Sequence, residues 1–383
     1  MTRVLLGMLG SNGDCLYATA IAKQIKQDFR GCHLTWAVCS LSKSVILNNP
    51  DIDAMWEIPL ANWADMERAW HLFETEAHIL AEAGRFDYIF LTQISPGRFS
   101  NYDGTVRPSI FRNYPRQLTV PVEVTIELDA AEKEAVDKWF AASAASDASQ
   151  AVLFECSSKS GQSSMNVDRA IKLAEFVTSM RQRAVVIIST HEAVEINNNP
   201  RIISAGCLGI RQTARLTDYV DLFVGCGSGL TVAATSSAAK QGLPNIQILR
   251  RYTSVYASFR HDFAYYGKPV SQFMELTSED PDHLGKAILA SLSDGFESAK
   301  AEFDDPVPLT FDWYIEVVSM MLIDVGRYVE AAQSLLVTAQ RYGWHPQLRR
   351  YGKHFILPFL DDDPRSQLPH RRAEAELLKA GIG

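Results

Sequence analysis

VLLGMLGSNGDCLYATAIAKQI, residues 4–25, runs from an apolar stretch of strand length through a glycine-rich turn into a segment of helical period. Val4 to Met8 reads as a buried strand and Asp14 to Phe29 as a helix. Glycines in such a turn let a ligand approach the backbone, and the N–H groups at the helix start favour an anion. The turn is neither GxGxxG nor GxxxxGK[ST], so the usual dinucleotide and ATP fingerprints are absent. Asp14, at the carboxyl end of the strand, stands where open α/β sheets place ligands. It either deprotonates a bound hydroxyl or caps the helix and complements its dipole.

Outward from this stretch the same alternation continues. His33 to Cys39 is a strand, Ala61 to Ala83 a long helix and Tyr88 to Leu91 a strand. The small, polar run AASAASDASQ (141–150) reads as a linker, after which the alternation restarts. There follow AVLFEC, a helix at Val167 to Met180 capped by Asn166, AVVIIST, IISA, a helix near Ile210 to Leu216, DLFVG, a helix at Leu230 to Ala239, and NIQIL. Strands alternating with helices predict an α/β protein with parallel sheets. The expected division is an N-terminal Rossmann-like domain over 1–145, a second over 150–305 and a helical extension over 311–383. In the extension, DVGRYVEAAQSLLVTAQ resembles half of a tetratricopeptide repeat, but a repeat array needs about three units.

At 383 residues, the chain exceeds what one core usually supports, which agrees with two domains. Hydrophobic residues at 47% and charged residues at 21% are ordinary globular usage and exclude a disordered chain. A net charge of −8 argues against broad binding to nucleic-acid phosphates. No apolar run reaches the roughly 20 residues that span a bilayer, and the first residues turn polar too early for a signal peptide. The expected location is cytoplasmic, with at most peripheral contact at the inner face of the membrane. The six cysteines lack CxxC or zinc spacing and read mostly as reduced, buried thiols. Asp51 and Asp53 fall in a connection and Asp361 to Asp363 in the tail, so no metal is expected.

The SNGD turn, the following ATAIAKQIKQDFRGCHLTWAV and then NNPDIDAMWEIPL resemble the opening of bacterial ADP-heptose lipopolysaccharide heptosyltransferases, members of glycosyltransferase family nine. The resemblance covers residues 1–60 and, more loosely, 150–250. It implies a GT-B fold, two Rossmann-like domains facing a cleft, and an inverting, metal-independent glycosyltransferase with no cofactor beyond its nucleotide-sugar co-substrate. The implied partners are a nucleotide sugar and a glycan or lipid-linked acceptor of surface polysaccharide assembly. By the same carry-over Asp14 is the catalytic base, and Asn12 and Gly13 lie beneath the acceptor.

Two later segments extend the expectation. FECSSKSGQSSMN puts Lys159 between strand and helix, where the family contacts the donor diphosphate, with Ser157, Ser158, Ser163 and Ser164 beside it; a solvated turn is the alternative. In DLFVGCGSGLTVAAT, Gly227 stands where the family has Asp and Val232 where it has His, while Ser228 and Gly229 are retained. The expected diphosphate cradle is therefore made by the backbone around Gly225, Gly227, Ser228, Gly229 and Thr231. The reaction class carries over rather than the sugar.

His191 and Glu192, after AVVIIST, are placed to meet the ribose or base, and Arg250 and Arg251 lie at the same sheet edge. The loop QISPGRFSNYDGTVRPSIFRNYPRQ brings Arg98, Arg107 and Arg112 among aromatics as acceptor contacts, or serves as a surface loop or oligomer contact. Two other classes remain open: a sugar-nucleotide epimerase or hydrolase of GT-B-like fold, and a non-catalytic binding or scaffold protein.

Overall fold

The computed structural model describes all residues except 95–101, 105, 157–160, 191–193, 197–198, 252–257, 307–309, 364–368 and 383. It divides into two compact units, residues 1–91 with 116–307, and residues 92–115 with 308–383.

Unit one holds two sheets. The first pairs β1 (Arg3–Gly7), β2 (His33–Cys39), β3 (Ala54–Ile58) and β4 (Tyr88–Leu91) in the order β3-β2-β1-β4, all parallel. Helix α1 (Asn12–Asp28) follows β1, and α2 (Met66–Glu82) precedes β4. β3 is an edge strand of alternating burial, and its exposed positions kept it from reading as a buried strand. One core of this sheet gathers Leu5, Ala37, Trp70, Phe73 and Leu91.

The second sheet contains β5 (Gln150–Glu155), β6 (Ala184–Ser189), β7 (Ile202–Ser204), β8 (Leu222–Gly225), β9 (Asn245–Ile248) and β10 (Phe273–Leu276). Its order is β10-β9-β8-β5-β6-β7, again all parallel. Both faces are covered, as parallel sheets require. Val152, Phe154, Val186 and Val224 join one core, while Leu153, Ile187 and Phe223 join the other. The period of two along β5 therefore sends Glu155 to the side of Leu153.

The segment α3 (Val106–Arg112) belongs to unit two, whereas α4 (Ala130–Ala142) contributes Val136, Trp139 and Phe140 to the second sheet's core. α4 thus packs on the second sheet although it precedes the boundary expected near 145–150. The crossover lies before α4, where Gln24 Oε1 accepts from the amides of Thr119 at 2.7 Å and Val120 at 3.0 Å. Further along, Ser237 Oγ accepts from the Ile126 amide at 3.0 Å. The second sheet's helices include α5 (Val167–Met180), α6 (Ile210–Leu216) and α7 (Gly229–Ala233). The helix expected over Leu230 to Ala239 stops early: the amides of Thr235 and Ser236 bond three residues back, to Val232 and Ala233, and the Ser237 amide goes to the Val124 carbonyl.

In unit two Tyr102 and Asp103 are anchored by the helices Phe311–Val318 and Tyr328–Tyr342. Tyr102 stacks on Tyr314, and Ser334 Oγ donates to the Tyr102 carbonyl at 2.6 Å. The fully buried Asp103 carboxylate takes both Arg112 and Arg341. This segment, expected as a loop of the first domain, groups instead with the C-terminal helices.

One buried acid sets a pH dependence. Burial pushes the Glu275 carboxyl on β10 up to about 7 from an ordinary 4.5, with Ser258 Oγ donating to it at 2.5 Å and opposing the rise. A raised carboxyl stabilises the fold below its unfolded value and loses that contribution as pH climbs through the folded value. Glu275→Gln is therefore expected to gain stability relative to the parent between pH 5 and pH 8, by about 3 kcal/mol at the upper end. Denaturant titrations of both proteins at the two pH values check this; an equal difference at both contradicts it.

Candidate functional site

The strand order of the second sheet reverses between β5 and β8, so their carboxyl ends open a crevice of the kind in which open α/β sheets hold ligands. A cavity of about 630 Å³ lies there, lined on one side by Ser11, Asn12, Gly13 and Trp63 and on the other by Glu155, Thr190, Ile210 and Ser228 to Leu230. That volume suits a small organic ligand. Both glycine-rich turns named from the sequence therefore meet at one place.

They meet closely. A Cβ on Gly229 would lie 3.1 Å from the Gly13 amide nitrogen and 3.2 Å from the Asn12 Cβ, so the backbones of α1 and α7 approach as only glycines allow. Gly225 is more constrained. A Cβ there would meet Phe223 at 2.5 Å, Thr231 Oγ1 at 2.6 Å and Gln247 Nε2 at 2.7 Å. Gly225→Ala is expected to cost about 1–3 kcal/mol by overpacking. A thermal melt indistinguishable from the parent's contradicts that crowding.

Asp14 sits on the first turn of α1, and its Oδ2 accepts from the Ser11 amide at 3.2 Å and the Ser11 hydroxyl at 3.1 Å. The carboxylate thus holds the helix start and fixes Ser11 at the cavity wall. Asn12 Oδ1 is buried with no hydrogen-bond partner among the described residues.

On the other side Glu155, 2% exposed, organises the turn after β8. Its Oε2 accepts from Thr231 Oγ1 at 2.6 Å and the Cys226 amide at 3.1 Å, and its Oε1 from Ser228 Oγ. Gly227, at φ +72°, donates its amide to Gln247 Oε1 at 3.0 Å and Thr231 Oγ1 at 3.2 Å. Ser228 Oγ also caps Leu230. The amides of Cys226, Gly227 and Leu230, expected in a diphosphate cradle or beside it, thus have partners within the protein. The hydroxyls of Ser228 and Thr231 serve Glu155. Burial, reinforced by the Glu155 charge, pushes the Cys156 thiol up to about 12 and the Cys226 thiol well above its ordinary value. All six cysteines are free, and five are buried, Cys207 being exposed.

Other expected site residues are placed differently. Ser157, Ser158, Lys159, His191, Glu192 and Arg98 lie outside the described residues, as does the side chain of Arg107. Arg112 is taken up by Asp103 and by Ser109 Oγ, the latter at 2.7 Å, in unit two. Ser163 Oγ donates to the Ile248 carbonyl at 2.6 Å and is a structural clamp. Arg250 follows β9, exposed, with its amide on the Gln162 carbonyl. Among the described residues no group of three or more His, Cys, Asp or Glu is placed to hold a metal ion. No described helix is long and apolar enough to cross a membrane.

Sequence reasoning missed Glu155 and Trp63 as lining residues, and it placed the helix at Ile210 without assigning it to the site. Glu155 carried a signal: a lone acid closing the apolar run AVLF at a strand's carboxyl end.

No family model matches the chain, and no curated protein matches it in sequence. Solved structures share its fold. A glycosyl transferase family 9 protein from Veillonella parvula DSM 2008 superposes with a TM-score of 0.51 at 12% identity, over 84% of this chain and 97% of that one. The E. coli ADP-heptose LPS heptosyltransferase II gives 0.50 at 11% identity, over 77% and 99%. The chain thus has the two-sheet GT-B fold expected of it.

Proposed function

We propose that this protein is a glycosyltransferase that moves a sugar from a nucleotide-sugar donor to a hydroxyl of a glycan or lipid-linked acceptor, with inversion and without a metal. The observation that carries the reading is the cavity of about 630 Å³ with Gly13 and Gly229 in close approach at its wall. A donor held on the second sheet's side there faces an acceptor held beside α1. The fold shared with a family 9 glycosyl transferase and a heptosyltransferase supports the same reaction class.

In this reading Asp14 takes the proton of the acceptor hydroxyl. That oxygen attacks the anomeric carbon from the face opposite the diphosphate, the carbon–oxygen bond to the diphosphate breaks, and its electron pair leaves with the nucleoside diphosphate. Inversion follows from one displacement. Lys159 and the serines around it remain the candidates to offset the charge that gathers on the leaving group. Surface polysaccharide assembly is the proposed setting, on the inner side of the membrane.

Thermal melts with ADP, GDP, UDP and dTDP, each alone and as a sugar form, with magnesium and with a chelator, test this. Saturating ligand raises the melting temperature of a protein that binds it. A response to one base that survives chelation is expected; no response to any of them overturns the transferase reading.

A further inference from the structure

We infer that Glu155 and Asn12 form the sugar-hydroxyl subsite of this cavity and discriminate against a bare nucleoside diphosphate, an inference that rests on the nucleotide-sugar reading above. Glu155 ends β5 at the crevice where the strand order reverses, and it lines the cavity although nearly all of it is buried. A buried carboxylate is costly unless a cation or several donors compensate it. Its three donors among the described residues, two hydroxyls and one amide, are neutral. Among the described residues the Glu155 carboxylate therefore meets only neutral donors at the cavity wall.

Across the wall, Asn12 Oδ1 is a second acceptor, buried and with no hydrogen-bond partner among the described residues. A buried acceptor left without a donor points to a ligand or water that supplies one. An ionised carboxylate and an amide oxygen only accept, a sugar hydroxyl donates, and a fully ionised phosphate cannot. This part of the cavity is thus matched to a neutral polyhydroxyl group and opposed to an anion.

The chemistry gives this selectivity a direction. Transfer breaks the bond between the anomeric carbon and the diphosphate oxygen, so the product keeps the electron pair, gains a negative charge and loses the sugar hydroxyls. The subsite that holds the donor then disfavours the product, which speeds its departure.

The test uses the base that stabilises the parent protein most in the melt panel, titrating calorimetrically its diphosphate and its neutral-hexose form. The parent is expected to bind the sugar form more tightly. Glu155→Gln, confirmed folded by its melt, is expected to weaken the sugar form and strengthen the diphosphate, narrowing the ratio by about tenfold. Asn12→Asp guards against misfolding of the first variant, because it adds charge in the first turn of α1, where an acid suits the helix dipole. It is expected to widen the ratio by weakening the diphosphate. If either folded variant shifts both ligands by the same factor, the subsite assignment is overturned while the nucleotide-sugar reading stands. If the parent binds neither ligand of any base, both fall together.

Discussion

Asp14→Asn is expected to lower turnover by about 10²–10⁴-fold, the range over which a positioned general base contributes, while leaving nucleotide affinity unchanged. The substitution is well suited to separating the two roles of this residue. An amide oxygen at position 14 still accepts from the Ser11 amide and hydroxyl, which the carboxylate holds at 3.2 and 3.1 Å, so the start of α1 is retained. Only the charge is lost, and its favourable interaction with the helix dipole is worth about 0.3–1 kcal/mol. A base is therefore removed with little effect on the fold. Steady-state rates of nucleoside diphosphate release, with melts alongside, read both quantities. Full turnover in the variant assigns Asp14 to the helix cap alone.

Arg211→Ala is expected to destabilise the protein by about 3 kcal/mol, the lower end of the range for breaking a buried ion pair. Arg211 is 4% exposed on α6 and grips Glu132 of α4 with both prongs, Nε to Oε1 at 2.9 Å and Nη2 to Oε2 at 2.6 Å. Its remaining donors reach the carbonyls of Leu47, beside the first sheet, and Glu127, in the crossover. One guanidinium thus ties together three stretches of chain, and its removal strands two carbonyls and a carboxylate. The lower end applies because the Glu132 side chain is 24% exposed and regains some water. Arg211→Lys is expected to recover only part of this, since an ammonium cannot reproduce the planar fork. A denaturant midpoint within error of the parent's for Arg211→Ala contradicts the account of this contact.

Strands flanked on both sides were legible because burial turns them into apolar runs: His33–Cys39 and Ala184–Ser189 fall where the sequence placed them, and Val167–Met180 is the expected helix. Edges were not. Ala54–Ile58 alternates in exposure, and Phe273–Leu276 carries the buried Glu275 inside a run of four residues, so neither presents a buried-strand signature. The small residues of 141–150 resemble a linker, yet Val136 on α4, which precedes them, packs with Leu153 and Phe223.

The site was legible where backbone shape made it. A side chain at 225 would collide with its neighbours, and those at 13 and 229 would be tight against the facing turn. What sequence could not give was the allocation of donors. Ser228, Thr231 and the amide of Gly227 read as ligand contacts, yet they satisfy Glu155 and Gln247, and only a structure reveals that the acid 71 positions before Cys226 receives its amide. The same holds for Arg112, whose partner Asp103 lies nearby in sequence but whose second neighbour, Arg341, belongs to the distant C-terminal helices.

The central claim is that the cavity between α1 and the turn after β8 holds the donor sugar. The direct measurement is a crystal structure of the protein with whichever neutral nucleotide sugar stabilises it most. The account predicts sugar hydroxyls within hydrogen-bond distance of Glu155 and Asn12 Oδ1, with the anomeric carbon on the Asp14 side. A nucleotide sugar bound outside this cavity, or bound with its diphosphate against Glu155, would contradict it.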